Sequence, residues 1–332
     1  MGRFGFGRIA ALALGALLLL AAALLGSMRL GWWNPGYEAV RARQATPPSR
    51  FERVGDALVH MRDEGQGPAV LMLHSSMTNL RLWDDWADQL LKGGYRVVRL
   101  DWPPYGLTVD PTPSRGMPTA LSLVERFVEQ RKLERFVIVA SSSGATLATL
   151  YAARHPEKVR ALALSTLPLK APPPTPVSWF VSTLLWLHLN LVPNYSPEIF
   201  YRESLAQLYG RPERLKAETV RWYYETNNIP GGFKRVTQYL EANQKNFWKT
   251  GAGDEAAAVT VPILLQWGDR DIVLPIDRAE EARRMFANAP MRIIHYPDVG
   301  HYPMLELPGP TGADLKTFLD ALPADNAAPA SP

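Results

Sequence analysis

The stretch Val137-Ile138-Val139-Ala140-Ser141-Ser142-Ser143-Gly144-Ala145-Thr146-Leu147-Ala148 constrains the fold more than any other part of the chain. Its apolar opening suits a strand buried on both faces. That strand runs straight into small residues and then into helix-type sequence. A turn this sharp aims one side chain above the sheet edge, at a helix N-terminus that favours developing negative charge. It also needs small residues two before and two after that side chain, because neighbouring backbone passes close by. Ser142 has Ala140 and Gly144 in those places. Ser141 would have Val139 and Ser143, and Ser143 would have Ser141 and Ala145. The plainer reading of this stretch alone is a serine-rich helix cap.

The surrounding pattern alternates strand-like and helix-like segments. Phe51–Val54 and Leu58–Arg62 read as short strands about a Gly55-Asp56 turn. Pro68–Leu73, Tyr95–Leu100 and Phe136–Val139 are continuous apolar runs, separated by helical spacing over Leu80–Leu91 and Ala120–Leu133. Beyond them the pattern predicts a helix (Thr146–Arg154), two strands (Arg160–Leu164, Pro262–Trp267), a helix (Asp277–Phe286), a strand (Met291–Tyr296) and a last helix (Gly312–Leu322). Such alternation implies βαβ units and a mostly parallel sheet covered by helices on both faces. Residues 170–260 break the rhythm with Ala171-Pro172-Pro173-Pro174 and aromatic-rich, helix-like sequence, which reads as a helical insertion.

Charge and hydropathy add a location. The formal net charge is +4, and residues 1–60 carry all of it: seven arginines against Glu38, Glu52 and Asp56, with 29 of each sign in the remainder. A nucleic-acid binder would spread its basic excess over a folded face, so nucleic acid is not an expected partner. Here the excess flanks Ile9–Met28, which holds no charge and is almost entirely Leu and Ala. Twenty residues at about 1.5 Å each span about 30 Å, the thickness of a bilayer core. Trp32, Trp33 and Tyr37 come next, where an aromatic belt would sit. A cleaved signal peptide is the alternative, but the apolar run is long for one and Ala21–Ala23 lead into more leucine.

The expected organisation is an N-terminal membrane anchor (1–30), a linker (31–50), a core in two parts (51–169 and 261–322) around the helical insertion (170–260), and a disordered tail (323–332). Arginines on both sides of the anchor leave the positive-inside count near a tie. A lone N-terminal apolar segment most often exports the domain C-terminal to it, so the folded domain is expected outside the cytoplasmic membrane. With no cysteine, the chain has no disulfide, thiol nucleophile or cysteine-ligated metal.

Five further segments, taken with the Ser142 turn, resemble the α/β-hydrolase family from about residue 55 to 322. Leu73-His74-Ser75-Ser76 is similar to its His-Gly loop, and Asp101-Trp102-Pro103-Pro104-Tyr105-Gly106-Leu107-Thr108 to its Asp-x-Pro-Gly-aromatic-Gly-x-Ser segment. Ala152-Ala153-Arg154-His155-Pro156 comes after the turn at the family's offset. Gln266-Trp267-Gly268-Asp269-Arg270-Asp271 resembles the acid loop and Val299-Gly300-His301-Tyr302-Pro303 the histidine loop. The insertion falls where the family carries a cap domain. Ala140, Ser75, Pro104 and Ala145 stand where the family has glycine; at Ser75 that glycine could serve a positive φ.

The resemblance implies the α/β-hydrolase fold and a triad of Ser142, Asp271 and His301, in that chain order. It also implies an oxyanion hole from the backbone N–H groups of Ser76 and Ser143. No cofactor or metal is expected, and the partners are a small, apolar acyl substrate and, through the N-terminal helix, membrane lipid. The expected activity is hydrolysis of a carboxylic ester or related acyl compound by way of an acyl-enzyme. Carbon–carbon cleavage of a vinylogous diketone and a cofactor-free perhydrolase reaction use the same triad and stay open. Dehalogenase and epoxide hydrolase chemistry needs a carboxylate at the turn, and Ser141-Ser142-Ser143 holds none. The non-enzymatic alternative is a binding protein that keeps the fold without turnover.

Overall fold

The computed structural model describes residues 3–323; the tail expected to be disordered lies, from residue 324 on, outside the described residues. Eight strands form one sheet: β1 (Arg50–Val54), β2 (Ala57–Glu64), β3 (Ala69–Leu73), β4 (Arg96–Leu100), β5 (Phe136–Ser141), β6 (Val159–Ser165), β7 (Ile263–Gly268) and β8 (Met291–Tyr296). Their order is β1-β2-β4-β3-β5-β6-β7-β8. The β1–β2 and β2–β4 pairings are antiparallel and every other pairing is parallel. This is the α/β-hydrolase fold, and each strand expected from the sequence is present within a residue or two.

The apolar runs are continuous because both sheet faces are covered. Leu71 and Leu73 of β3 join one core cluster with Ile138, Ala140, Val124 and Phe127. Val70 and Met72 join another on the opposite face with Val137, Val139, Trp83 and Trp86. Alternate residues of one strand thus serve two cores, which removes the period-two polarity of a half-exposed strand.

Between β6 and β7 lie the helices Trp179–Asn190, Glu198–Leu208, Ala217–Asn227, Gly232–Asn246 and Gly253–Ala258. The N-terminal helix runs Arg3–Arg29, and its Gly7–Arg29 part is long and apolar enough to cross a membrane, with none of it buried by the rest of the chain. The linker reading needs correction over part of its length. Tyr37–Gln44 is a helix whose Val40 packs fully buried with Leu107 and Ile229. Its Tyr37 hydroxyl donates to the Leu107 carbonyl at 2.8 Å, and Arg43 Nε donates to a Glu225 carboxylate oxygen at 2.8 Å. Eight residues with little apolar periodicity make a weak helix alone; tertiary contacts hold this one.

Candidate active site

Parallel strands bring the site together. Ser75 and Ser76 follow β3, Ser142 follows β5, Asp271 follows β7 and His301 follows β8, so all four loops leave the same edge of the sheet. An open α/β sheet places its ligand crevice at that edge, beyond the carboxyl ends of the strands.

Ser142 sits between β5 and the helix Ser143–Arg154 at φ 52°, ψ −124°, a backbone conformation that L residues avoid. Its N–H is held between the carbonyls of Ser165 (2.9 Å) and Thr166 (2.8 Å). The need for small neighbours is visible in the packing. Ala140 is fully buried, and a Cβ on Gly144 would fall 2.4 Å from the carbonyl oxygens of Leu73 and His74. Ser143 is the first residue of the helix, where a backbone N–H has no partner within the helix.

The loop after β3 is fixed from below. His74 is fully buried and stacked on Trp102, with ring centroids 5.3 Å apart. Its Nδ1–H donates to the Ser75 carbonyl (2.8 Å), and its Nε2 accepts the Trp102 N–H (3.2 Å). Burial pulls its pKa down to about 4, so it stays neutral. Ser76 Oγ lies 2.7 Å from Ser143 Oγ and accepts a hydrogen bond from the Tyr105 hydroxyl at 3.1 Å. The two expected oxyanion residues are therefore neighbours. The left-handed residue in this loop is Met77, at φ 62°, and not Ser75. Serine is accepted at position 75 because the strain is displaced two residues onward.

Asp271 Oδ2 lies 2.8 Å from His301 Nδ1, with both side chains almost wholly shielded from solvent. Asp271 Oδ1 accepts the N–H groups of Val273 (2.8 Å) and Leu274 (3.0 Å), which fixes the carboxylate plane. The His301 N–H donates to the Leu208 carbonyl at 2.7 Å, and its ring meets Tyr302 edge-on. Burial pushes the Tyr302 phenol up to about 12, so it remains a neutral hydroxyl. A neutral imidazole whose Nδ1–H is fixed by a carboxylate has its Nε2 free to accept a proton.

The other histidines have other partners. His60 Nδ1 lies 2.7 Å from Asp101 Oδ2, His155 lies 3.1 Å from Glu125, His188 lies 2.8 Å from Ser196 Oγ, and His295 lies 3.2 Å from Asp269. Asp269, two residues before Asp271, is thus paired with His295 and not with His301. Among the described residues no group of three or more His, Cys, Asp or Glu side chains is arranged to hold a metal ion.

One residue of the site escaped the sequence reading. Glu306, five residues after His301, is buried and accepts the N–H groups of Gly300 (2.7 Å), Gly210 (2.9 Å) and Arg211 (3.4 Å). Its burial raises its pKa to about 7 against those backbone donors and Arg214. The only sequence signal was a lone carboxylate just downstream of the histidine loop.

Comparison with known proteins agrees with this fold. A family model described as the alpha/beta hydrolase fold matches residues 68–308. The chain belongs to the α/β-hydrolase family. A pimeloyl-[acyl-carrier protein] methyl ester esterase of Nitrosomonas europaea is 26% identical over 257 residues, covering 76% of this chain and 96% of its own. A 2-hydroxy-6-oxononadienedioate/2-hydroxy-6-oxononatrienedioate hydrolase of Escherichia coli (strain K12) is 24% identical over 290 residues, covering 78% and 91%. Among solved structures, a membrane phospholipase A described as a bacterial virulence factor superposes with a TM-score of 0.69 at 26% identity, covering 98% of this chain and 100% of its own. The family relatives include esterases, a lipolytic enzyme and carbon–carbon bond hydrolases.

Proposed function

We propose that this chain is a serine hydrolase, tethered to a membrane by its N-terminal helix, that cleaves a carboxylic ester through an acyl-enzyme. The observation that carries the reading is the Asp271–His301 pair on the sheet edge from which the strained Ser142 also projects. Ser142 Oγ attacks the acyl carbon as His301 Nε2 takes its proton. Asp271 holds the imidazole tautomer and stabilises the imidazolium. The Ser76 and Ser143 N–H groups receive the oxyanion, and loss of one such donor typically costs about 3–4 kcal/mol. His301 returns the proton to the leaving alcohol, and water then repeats the sequence to release the acid. Residues 170–260 act as a cap over this edge.

The anchor is favoured over a cleaved signal by its contacts with the cap. Arg29 Nη1 donates to the Leu191 carbonyl (3.2 Å), and Asn194 Nδ2 donates to the Arg29 carbonyl (2.8 Å). The catalytic domain is assigned to the extracytoplasmic side, which protease protection of the C-terminus in intact cells tests.

A fluorophosphonate probe tests the chemistry: the intact chain becomes labelled, and Ser142→Ala does not. Labelling that survives in Ser142→Ala, or none in the native chain, overturns the proposal. The 24% identity to a dienedioate hydrolase gives the carbon–carbon alternative a concrete assay, a ring-fission dienoate run beside an ester panel.

A further inference from the structure

The helices of the insertion and the end of the N-terminal helix enclose a cavity of about 550 Å³ that does not include Ser142, Asp271 or His301. Its size is that of a small-molecule site. Leu185, Leu189, Phe200, Phe233, Val236 and Leu240 supply most of its apolar wall. Leu30, Gly31 and Asn34, immediately after the apolar Gly7–Arg29 span, line it. Met77, the neighbour of Ser76, lines it too, and the Met77 carbonyl accepts the Asn227 Nδ2–H at 2.7 Å. The cavity wall thus includes both the segment after the membrane-length helix and the loop that holds Ser76.

The outer surface of the insertion is apolar as well. The helix Trp179–Asn190 carries large apolar side chains out into solvent, with Trp179 80% and Trp186 56% exposed. Its last turn is the part that meets Arg29, since Arg29 Nη1 reaches the carbonyls of Asn190 (3.4 Å) and Leu191 (3.2 Å). On the anchor side Trp32 is 76% exposed. Apolar patches this exposed are uncommon on a soluble face, and tryptophan at such a border suits the headgroup level of a bilayer.

Resting on the anchored-hydrolase reading above, we infer that this cavity receives the long acyl chain of a bilayer lipid. The chain enters beside Leu30–Asn34, lies between the insertion helices, and brings its ester end to Met77 and Ser76. The cavity surface is mostly apolar, though Asn34, Asn194, Asn227, Asn228 and Glu241 also line it, and such a surface suits a hydrocarbon chain, whereas a short acyl group would leave it unfilled.

Two measurements test this on the full chain in phospholipid vesicles. In the first, Ser142→Ala protein is irradiated with a diazirine-bearing phosphatidylcholine in the vesicle, and separately with a diazirine-bearing palmitic acid added from solution. Cross-links from the phosphatidylcholine within residues 185–189 or 233–240 are expected. Cross-links from the free acid alone overturn the bilayer source, and none from either overturns the site. In the second, Leu240→Trp adds bulk at a lining position that is half exposed. The ratio of kcat/KM for p-nitrophenyl palmitate over p-nitrophenyl butyrate should fall by about tenfold, since pocket shape discriminates by this order. An unchanged ratio counts against the site. If the native chain hydrolyses neither ester, the ester reading fails and cross-linking alone decides the cavity.

Discussion

The Glu306 carboxylate accepts the Gly300 N–H on one oxygen and the Gly210 N–H on the other, so a single buried side chain joins the histidine loop to the helical insertion. Burial drives its pKa from 4.5 to about 7, with Arg214 at 3.9 Å and the Tyr209 phenol as the facing titratable groups. A raised pKa means that the folded state holds the proton more tightly than the unfolded chain. Its contribution is fully present below 4.5 and is lost as pH rises through about 7. The loss is on the order of 3 kcal/mol. Urea unfolding from about pH 5 to pH 8 should show Glu306→Gln less pH-dependent than the native chain. Equal slopes in both would refute the linkage.

Much of this arrangement was legible from residues alone. The Ser142 turn was legible in its own residues, and the resemblance to the α/β-hydrolase family implied Asp271 and His301, which follow strands of the same parallel sheet. What escaped depends on contacts between distant segments. The Glu306 side chain is satisfied by Gly210 and Arg211, which lie 96 and 95 residues away, and no local pattern marks such a pairing. The helix Tyr37–Gln44 escaped for the same reason, because Leu107, Glu225 and Ile229 hold it in place. Ser75 illustrates a third kind of gap. The loop's left-handed residue is Met77, which no local pattern in the sequence marks.

Ser142 combines a strained backbone with the proposed nucleophile, and two substitutions separate these. Ser142→Ala keeps the Cβ at φ 52° and removes the hydroxyl. Ser142→Gly also relieves the conformation, so it should be the more stable of the two by about 1 kcal/mol, close to the cost of a residue held in such a region. Both should lose turnover by several orders of magnitude. Chemical denaturation beside an ester assay reads both effects, and a Gly variant no more stable than the Ala variant would show that the turn carries no strain.

Asp271 has two tasks, accepting from His301 and tying down the N–H groups of Val273 and Leu274. Asp271→Asn can keep the backbone acceptor while removing the charge opposite the imidazole. The expected result is a kcat lower by about 10⁴-fold with little change in KM, because the imidazole tautomer and imidazolium are no longer favoured. Should kcat fall less than about tenfold, Asp271 is not the orienting acid.

Two glycines, both outside the proposed triad, give unlike predictions for the same substitution. Asp101 is fully buried and accepts the N–H groups of Leu80 and Leu107, each at 2.7 Å, beside His60. Burial alone would raise its pKa, but His60 and the backbone donors hold it below the usual carboxylate range. Gly106 lies against it at φ +62°, and a Cβ there would fall 2.1 Å from Asp101 Oδ2. Gly106→Ala must therefore displace an ionised, hydrogen-bonded carboxylate and also adopt an unfavourable φ, at a cost of about 3 kcal/mol or more. Gly309, in the helix Pro308–Asp320, has only its chain neighbours within 4 Å of the point where a Cβ would lie, Pro310 among them, and its φ is not positive. Gly309→Ala should be close to neutral, within about 0.5 kcal/mol, because the lower entropy of its unfolded chain is offset by the crowding of a Cβ against the following Pro310. Urea midpoints measured side by side give the comparison, and a Gly106→Ala protein as stable as the native chain would mean that Asp101 is not held as tightly as its contacts require.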